Sequence, residues 1–127
     1  MKNKVLFIGA THGDEGFSIP ILDVLEKRYP KNKFAYNQII GNPKAFKLNV
    51  RQTAGNLNRL APGNPNSNIY EEKRAYKIMQ IAKKYSYVID LHGADSDCEI
   101  VIIICNPTLP NFILAGMLGV KRIIIWR

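Results

Sequence analysis

The stretch VLFIGATHGDEG, residues 5–16, places a short apolar run directly before a polar, glycine-rich turn. The apolar run Val5–Ile8 predicts a buried strand, and residues 9–13 predict the turn that ends it. The residues that follow, Phe17–Tyr29, have apolar side chains near helical spacing, and Pro30 predicts the end of that helix. A buried strand, a turn and a helix in this order are typical of α/β proteins.

The rest of the chain continues this alternation. Runs rich in β-branched and aromatic residues predict four further strands, over Phe34–Ile40, Tyr87–Leu91, Ile100–Cys105 and Arg122–Trp126. Helical spacing predicts helices over Ile69–Tyr85 and Pro110–Leu118. Residues 42–69 hold many Asn, Gly and Pro residues, which predicts a long loop that is either functional or disordered. We therefore expect an α/β fold with a mostly parallel sheet flanked by helices, in one domain over residues 1–127.

The net charge of +8 raises the question of an anionic partner. The densest charged groups are Glu26–Arg28 and Glu71–Arg74, which mix acids with bases, and the short pair Lys83-Lys84. This pattern favours solvated helix faces over a nucleic-acid surface. The chain has neither a GxGxxG motif nor a P-loop, which argues against a nucleotide-binding domain. A small anionic substrate is the expected partner, and no nucleic acid is expected.

The two cysteines, Cys98 and Cys105, do not form a CxxC motif, so we expect reduced thiols in a cytoplasmic protein. No apolar run reaches the ~20 residues that span a bilayer, and the N-terminal run is too short for a signal peptide, so no membrane partner is expected. The chain stops after the apolar run Ile123–Arg127. Strands of a parallel sheet are normally covered on both faces, so we expect either a chain truncated at its C-terminus or a homo-oligomer that covers this strand.

Two histidines and one glutamate follow predicted strands. His12 follows the first strand, Glu15 lies three residues later at the start of the helix, and His92 ends the strand over Tyr87–Leu91. Because the carboxyl ends of parallel strands meet at one edge of a sheet, we expect all three side chains at that edge. Each alone fits a plainer interpretation, an acidic helix N-terminus or a capping histidine. Together they predict a catalytic zinc site with an open fourth position.

The loop between residues 49 and 63 adds two arginines and several amides at the same edge. The Arg fork fits a carboxylate bidentately, so this segment is either a carboxylate-binding loop or a solvated loop with Pro-Gly turn residues. The motifs occur in series: HGDE at 12–15, GNPKA at 41–45, Arg51, NLNR at 56–59, Pro62-Gly63 and DLHG at 90–93. This series, over about residues 4–105, resembles the aspartoacylase and succinylglutamate desuccinylase family.

The resemblance implies a fold of the zinc-carboxypeptidase and phosphorylase-hydrolase-like kind, and a zinc-dependent hydrolase that cleaves the amide bond of an N-acyl amino acid. It implies one zinc ion per chain, bound by His12, Glu15 and His92. Arg51 would face the attacked carbonyl oxygen and stabilise the oxyanion, and Asn58 and Arg59 would hold a substrate carboxylate. Bound zinc would polarise the carbonyl and lower the pKa of its water to about 7.

The sequence departs from the family pattern in two places. Asn56 stands where the family usually has an aspartate that accepts a hydrogen bond from the first histidine ligand, so we expect weaker support for that ligand. The family's general base is a glutamate well downstream of His92, and Glu99 lies too close to His92 to match it. Two alternatives therefore stay open: a metallocarboxypeptidase that acts on peptides, and a non-catalytic module that binds zinc or a carboxylate.

Overall fold

The computed structural model describes residues 4–94 and 97–126. The chain divides into two compact units, Met1–Gly93 and Ala94–Arg127, and each unit is described by itself. Residues 1–3 and Arg127, the last residue of the final apolar run, lie outside the described part of the chain. The single domain over residues 1–127 stays a prediction.

The first unit is built on a three-stranded parallel sheet of order β2-β1-β3, with strands β1 (Val5–Gly9), β2 (Tyr36–Ile40) and β3 (Tyr87–Asp90). β1 lies in the centre, where Leu6 and Ile8 are buried. The register pairs residues at the ends of the strands, Gly9 with Ile40 and Ile8 with Asp90. The segments that follow the three strands therefore leave the same edge of the sheet.

Two longer helices connect these strands. α1 (Ser18–Arg28) lies between β1 and β2, and a helix over Tyr70–Ala82, named α3, leads into β3. Leu22 on α1 and Ala75 on α3 are buried, as the helical spacing of apolar residues predicts. Both helices lie inside the ranges predicted from the sequence.

The prediction of one long loop over residues 42–69 is wrong, because this segment contains α2 (Pro43–Leu48) and a 3-10 helix (Leu57–Arg59). Asn42 caps α2, since its side-chain oxygen accepts a 3.1 Å hydrogen bond from the Ala45 amide, and Pro43 occupies the first turn. Such a short helix has no apolar periodicity of its own, so only its Asn-Pro start indicates it in the sequence.

The second unit has two parallel strands, β4 (Val101–Ile104) and β5 (Arg122–Ile125), with α4 (Leu109–Met117) between them in the chain. Ile104 and Ala115 are buried. Pro110 lies in the first turn of α4, where a missing amide hydrogen removes no helical hydrogen bond. All three elements match the predicted strands and helix to within one or two residues.

The two strands of every described pair are parallel and are connected through at least one helix, which confirms the predicted α/β class. Across residues 4–94 and 97–126, no helix combines the length and the apolar character that crossing a bilayer requires.

Candidate metal centre

The turn after β1 brings His12 and Glu15 together. The backbone at Ala10 is left-handed, with φ of 51°, and the Glu15 amide donates to the His12 carbonyl oxygen over 3.1 Å. Glu15 lies in this turn and not at the start of α1 as predicted, because the helix begins further along the chain. A Cβ on Gly13 would lie 2.1 Å from the Ala45 carbonyl carbon, so only glycine lets the turn pack against α2.

Three side chains bring metal-ligand atoms to one point. His12 Nδ1 lies 2.8 Å from Glu15 Oε1, and His92 Nδ1 lies 3.0 Å from Glu15 Oε2. One ligand atom from each of these residues lies within 4.8 Å of the other two. Zinc bonds of about 2.1 Å at tetrahedral angles require donor atoms about 3.4 Å apart, so small side-chain movements suffice. Two imidazoles and a carboxylate suit zinc chemically and leave one coordination position open.

The second ring nitrogen of His92 faces a carboxylate. His92 Nε2 lies 3.0 Å from Asp90 Oδ2, and the Thr11 hydroxyl donates to the two Asp90 oxygens over 2.8 and 3.0 Å. The hydrogen bond with Asp90, opposed by burial and assisted by the charges of Asp90 and Glu15, raises the pKa of His92 above its ordinary 6.5. Asp90 therefore orients the His92 ring so that Nδ1 faces Glu15 and is available to bind a metal.

The second ring nitrogen of His12 faces two amides instead. His12 Nε2 lies 3.3 Å from Asn56 Oδ1 and 3.4 Å from Asn58 Nδ2. A metal on Nδ1 requires a proton on Nε2, and Asn56 Oδ1 can accept that proton whereas the amide nitrogen of Asn58 cannot. His12 is buried, and Asn56 is the side chain that favours its Nε2-protonated tautomer, the form that can bind a metal through Nδ1.

Glu15 carries negative charge between the two histidines. Burial raises its pKa, but the hydrogen bond with the His12 side chain, a 3.0 Å hydrogen bond from the Gly93 amide, and the charges of His92 and His12 outweigh burial. These contacts hold the pKa of Glu15 below its ordinary value of 4.5. The carboxylate is therefore ionised at neutral pH, as a metal ligand must be.

Arg51 borders the same carboxylate. Its Nη1 lies 3.9 Å from Glu15 Oε1, and 51% of its side chain is exposed. The Arg51 carbonyl oxygen accepts a 3.1 Å hydrogen bond from the Gly13 amide, which ties its backbone to the turn that carries His12. An ion pair this long and this exposed contributes little to stability, so the guanidinium can bind an incoming anion.

The other two predicted substrate-binding residues lie on the 3-10 helix. Asn58 and Arg59 are both exposed there, and the Asn58 amide donates to Asn56 Oδ1 over 3.1 Å. The structure thus brings the three predicted metal ligands together, places Arg51 and Asn58 beside them, and leaves Arg59 at the surface next to Asn58.

Asp90 contacts the candidate metal centre, although the sequence patterns assign it no role. It belongs to the DLHG motif and lies two residues before His92, the spacing that puts two side chains on one side of an extended chain. That spacing is the signal that would have paired the carboxylate with the imidazole. Its hydrogen bond with Thr11 joins residues that are distant in sequence, and no local pattern indicates it.

A buried carboxylate contacts the loop that carries Arg51 and Asn56. Glu71 is 0% exposed, which corrects the prediction that it belongs to a solvated helix face. Its Oε1 accepts hydrogen bonds from the Thr53 amide over 2.8 Å, the Thr53 hydroxyl over 2.6 Å and the Asn42 side chain over 3.3 Å. Burial raises its pKa, but these hydrogen bonds outweigh burial and lower the pKa of Glu71 to about 2.

Comparison with known proteins identifies the family. The sequence model described as "Succinylglutamate desuccinylase/Aspartoacylase catalytic domain" matches residues 1–118. The chain belongs to the succinylglutamate desuccinylase/aspartoacylase family. The resemblance carried by the HGDE, NLNR and DLHG motifs is thereby confirmed.

Individual members of the succinylglutamate desuccinylase/aspartoacylase family agree. A "Probable aspartoacylase" of Nostoc sp. is 32% identical over 116 residues, which cover 82% of this chain and 40% of that protein. A "Probable aspartoacylase" of Trichodesmium erythraeum is 30% identical over 117 residues, with the same coverage of 82% and 40%. This chain therefore spans about two fifths of the length of these relatives.

Solved structures show the same fold at lower identity. Murine aminoacylase 3 aligns with 92% of this chain and 44% of its own, with a TM-score of 0.72 and 20% identity. Succinylglutamate desuccinalase from Vibrio parahaemolyticus aligns with 82% of this chain and 40% of its own, with a TM-score of 0.67 and 18% identity. These likenesses confirm the predicted α/β fold.

Proposed function

We propose that this chain provides the zinc-binding part of a hydrolase that cleaves the amide bond of an N-acyl amino acid. One observation carries the proposal. His12 Nδ1, Glu15 and His92 Nδ1 converge, while the outer nitrogen of each ring faces an oxygen acceptor. Such acceptors orient imidazoles for metal binding, and a set of two histidines and one glutamate is typical of catalytic zinc. Structural zinc sites prefer cysteine ligands in a closed shell.

The names of the relatives support this substrate class. Aspartoacylase, aminoacylase and succinylglutamate desuccinalase are each named for an acyl group on an amino acid. Such a molecule is a small anion, and a net charge of +8 favours the approach of anions. The proposed partner is therefore a small acyl-amino acid. We propose no nucleic-acid or membrane partner, and a cytoplasmic location. A homo-oligomer stays a prediction.

The residues around the proposed zinc site have separate tasks. Zinc, when bound, would act as a Lewis acid and activate a water molecule at neutral pH. Glu15 contributes ligand charge, and Asp90 keeps the His92 ring in the orientation that presents Nδ1. Arg51 places a positive charge beside this cluster, where it would stabilise the negative charge that develops on the attacked carbonyl oxygen.

Asn58 and Arg59 would hold the carboxylate of the substrate. Both are exposed on the 3-10 helix, and the Asn58 amide nitrogen lies 3.4 Å from the His12 ring. In the metal-binding tautomer His12 donates to Asn56, so the Asn58 amide hydrogens stay available to an acceptor on the substrate. A carboxylate bound there would lie next to the metal ligands.

A zinc- or carboxylate-binding module without catalysis is the second candidate. Among residues 4–94 and 97–126, the carboxylates that contact the two histidines are Glu15 and Asp90. Glu15 is a proposed zinc ligand and Asp90 holds His92, so neither is available as a general base. A metallocarboxypeptidase would use the same ligands and the same carboxylate site, and only its substrate separates it from the leading proposal.

Metal analysis of the purified chain tests the zinc site. We expect close to one zinc per chain in the wild type, and loss of zinc in His12→Ala and in His92→Ala. Asp14→Asn is the matched control, because Asp14 is exposed in the same turn and should not be needed for zinc binding. A folded wild-type chain that binds no zinc, or a His12→Ala variant that retains it, contradicts the proposal.

Hydrolysis assays on the zinc-loaded chain separate the candidate functions. Under the leading proposal we expect slow release of the amino acid from N-acetylaspartate or N-succinylglutamate, because neither Glu15 nor Asp90 is available as a general base. The rate should fall at least about 100-fold further in Arg51→Ala because the oxyanion loses a donor. Release of a C-terminal residue from a peptide, without hydrolysis of acyl-amino acids, would favour the carboxypeptidase. A folded, zinc-loaded and inert chain would favour the binding module.

A further inference from the structure

Glu71 is a fully buried carboxylate that makes no contact with the three proposed zinc ligands among its hydrogen bonds to residues of the described chain. It lies in the first turn of α3. Burying a carboxylate is unfavourable unless hydrogen-bond donors replace the lost water. Those donors come from the cap of α2 and from the loop that follows it, so the charge of Glu71 and the position of that loop depend on each other.

Three consecutive backbone amides converge on this carboxylate. Thr53 N lies 2.8 Å from Oε1, and Ala54 N and Gly55 N each lie 3.3 Å from Oε2. The Thr53 hydroxyl adds a 2.6 Å hydrogen bond and Asn42 Nδ2 adds one of 3.3 Å. Turning any of these groups away would break a charge-assisted hydrogen bond, so the carboxylate restricts the loop in both position and orientation.

The loop held by Glu71 carries two residues of the metal centre. Arg51 lies two residues before Thr53, and its guanidinium approaches Glu15. Asn56 directly follows the last of the held amides and faces His12 Nε2. A shift of the held segment would therefore move both contacts at once, and ligand-positioning contacts are sensitive to shifts of about 1 Å.

A second side chain of α3 holds the start of the same segment. Arg74 Nε donates a 2.7 Å hydrogen bond to the Gly41 carbonyl oxygen, at the end of β2. Between this contact and the loop, Asn42 caps α2 while its amide nitrogen reaches Glu71. α3 thus anchors the chain both where it leaves the sheet and where it approaches the metal centre.

We propose that Glu71 is a positioning residue of the metal centre, which holds residues 53–55 so that Asn56 meets His12 and Arg51 meets Glu15. The inference rests on the proposed zinc function, because the loop would affect zinc binding through the contact of Asn56 with His12. Asn56 supplies no charge to His12, so its geometry decides how well it supports that ring. The buried anchor secures this geometry.

The substitution Glu71→Gln tests the inference, with Glu72→Gln as the matched control in the same helical turn. Glutamine has nearly the same size, but its NH2 group would meet amides that are themselves donors. We expect Glu71→Gln to stay folded by circular dichroism, to exchange the amide hydrogens of residues 53–55 faster, and to bind zinc about tenfold more weakly in competition with a chelator. Glu72→Gln should match the wild type in all three measurements.

A double-mutant cycle distinguishes positioning from general destabilisation. If Glu71 acts through Asn56, then Glu71→Gln weakens zinc binding much less when Asn56→Ala is already present. Additive effects, or an unchanged zinc affinity in Glu71→Gln, overturn the inference. If Glu71→Gln does not fold, Thr53→Val takes its place in the cycle, because it removes one hydroxyl hydrogen bond and keeps the backbone amides.

Failure of the proposed function would be distinguishable from failure of this inference. A wild-type chain that binds no zinc contradicts the function, but the nitrogen chemical shift of His12 Nε2 still reports its contact with Asn56. That shift should change in Glu71→Gln and stay the same in Glu72→Gln. An unchanged shift in Glu71→Gln overturns the positioning role.

Discussion

The two histidines of the metal centre are supported in different ways. His92 follows β3, and its outer nitrogen faces Asp90, a carboxylate at the end of that strand. His12 follows β1, and its outer nitrogen faces Asn56, an uncharged amide on a loop that Glu71 holds. The outer nitrogen of His92 therefore contacts a charged group directly, whereas that of His12 contacts an uncharged amide, and the charge of Glu71 acts only through the loop that carries this amide. His92 is thus supported by a residue two positions before it in the chain, whereas the support of His12 depends on an anchor in a distant helix.

The largest expected free-energy change is in the stability of the fold, when the charge of Glu71 is removed. Its folded pKa of about 2 lies below the ordinary 4.5, so ionised Glu71 stabilises the fold above pH 4.5, and this contribution is lost as pH falls through 2. The shift corresponds to roughly 3 kcal/mol of unfolding free energy. Urea unfolding at acid pH should show this loss in the wild type and a flatter pH dependence in Glu71→Gln. Equal pH dependences in the two proteins would contradict the anchor.

The second-largest effect is expected when the charge of Asp90, which contacts His92, is removed. Asp90→Asn should weaken zinc binding between about 10-fold and 100-fold at pH 8, where protons compete little with the metal. In the metal-free protein the pKa of His92 should fall toward 6.5, because the hydrogen bond with Asp90 is the main cause of its rise. Chelator competition and an NMR titration measure the two effects. Asp14→Asn is again the control, and a His92 pKa that stays raised would exclude Asp90 as the cause.

Replacing the uncharged amide that contacts His12 by a carboxylate tests whether the two histidines differ because of this charge. Asn56→Asp should tighten zinc binding about tenfold, because a carboxylate would make the His12 ring a more basic ligand. Zinc competition at neutral pH measures the change, and Asn66→Asp, an exposed position further along the loop, controls for the added charge alone. Tighter binding in both variants would point to general electrostatic attraction and not to support of His12.

The smallest effect is expected for the hydroxyl that holds Asp90. Thr11→Val keeps the shape of a buried side chain but removes its hydrogen bonds to the two Asp90 oxygens. We expect zinc binding to weaken about threefold, in line with the loss of one net hydrogen bond. An effect as large as that of Asp90→Asn would mean that Thr11 controls the orientation of the carboxylate.

Prediction from the sequence succeeds where an element is defined by a local apolar pattern and fails where it depends on a single cap or on distant residues. β1, α1 and α3 have clear apolar patterns over several residues, so their positions are predicted correctly. α2 is missed because it is short and is defined by the cap at Asn42. Glu71 is misassigned to a solvated face because an acidic residue in the first turn of a helix is usually exposed, and its partners lie 16 to 29 residues away.

The sequence by itself determined the order of the strands and of the longer helices, the parallel class of the sheet and the three residues that form the candidate zinc site. These depend on local apolar patterns and on a rule of topology, that parallel strands bring their carboxyl ends to one edge. Only the tertiary structure decided which group supports each histidine and that a buried glutamate holds the loop. Hydrogen bonds between residues distant in the chain depend on distances of a few tenths of an ångström, which no one-dimensional pattern contains.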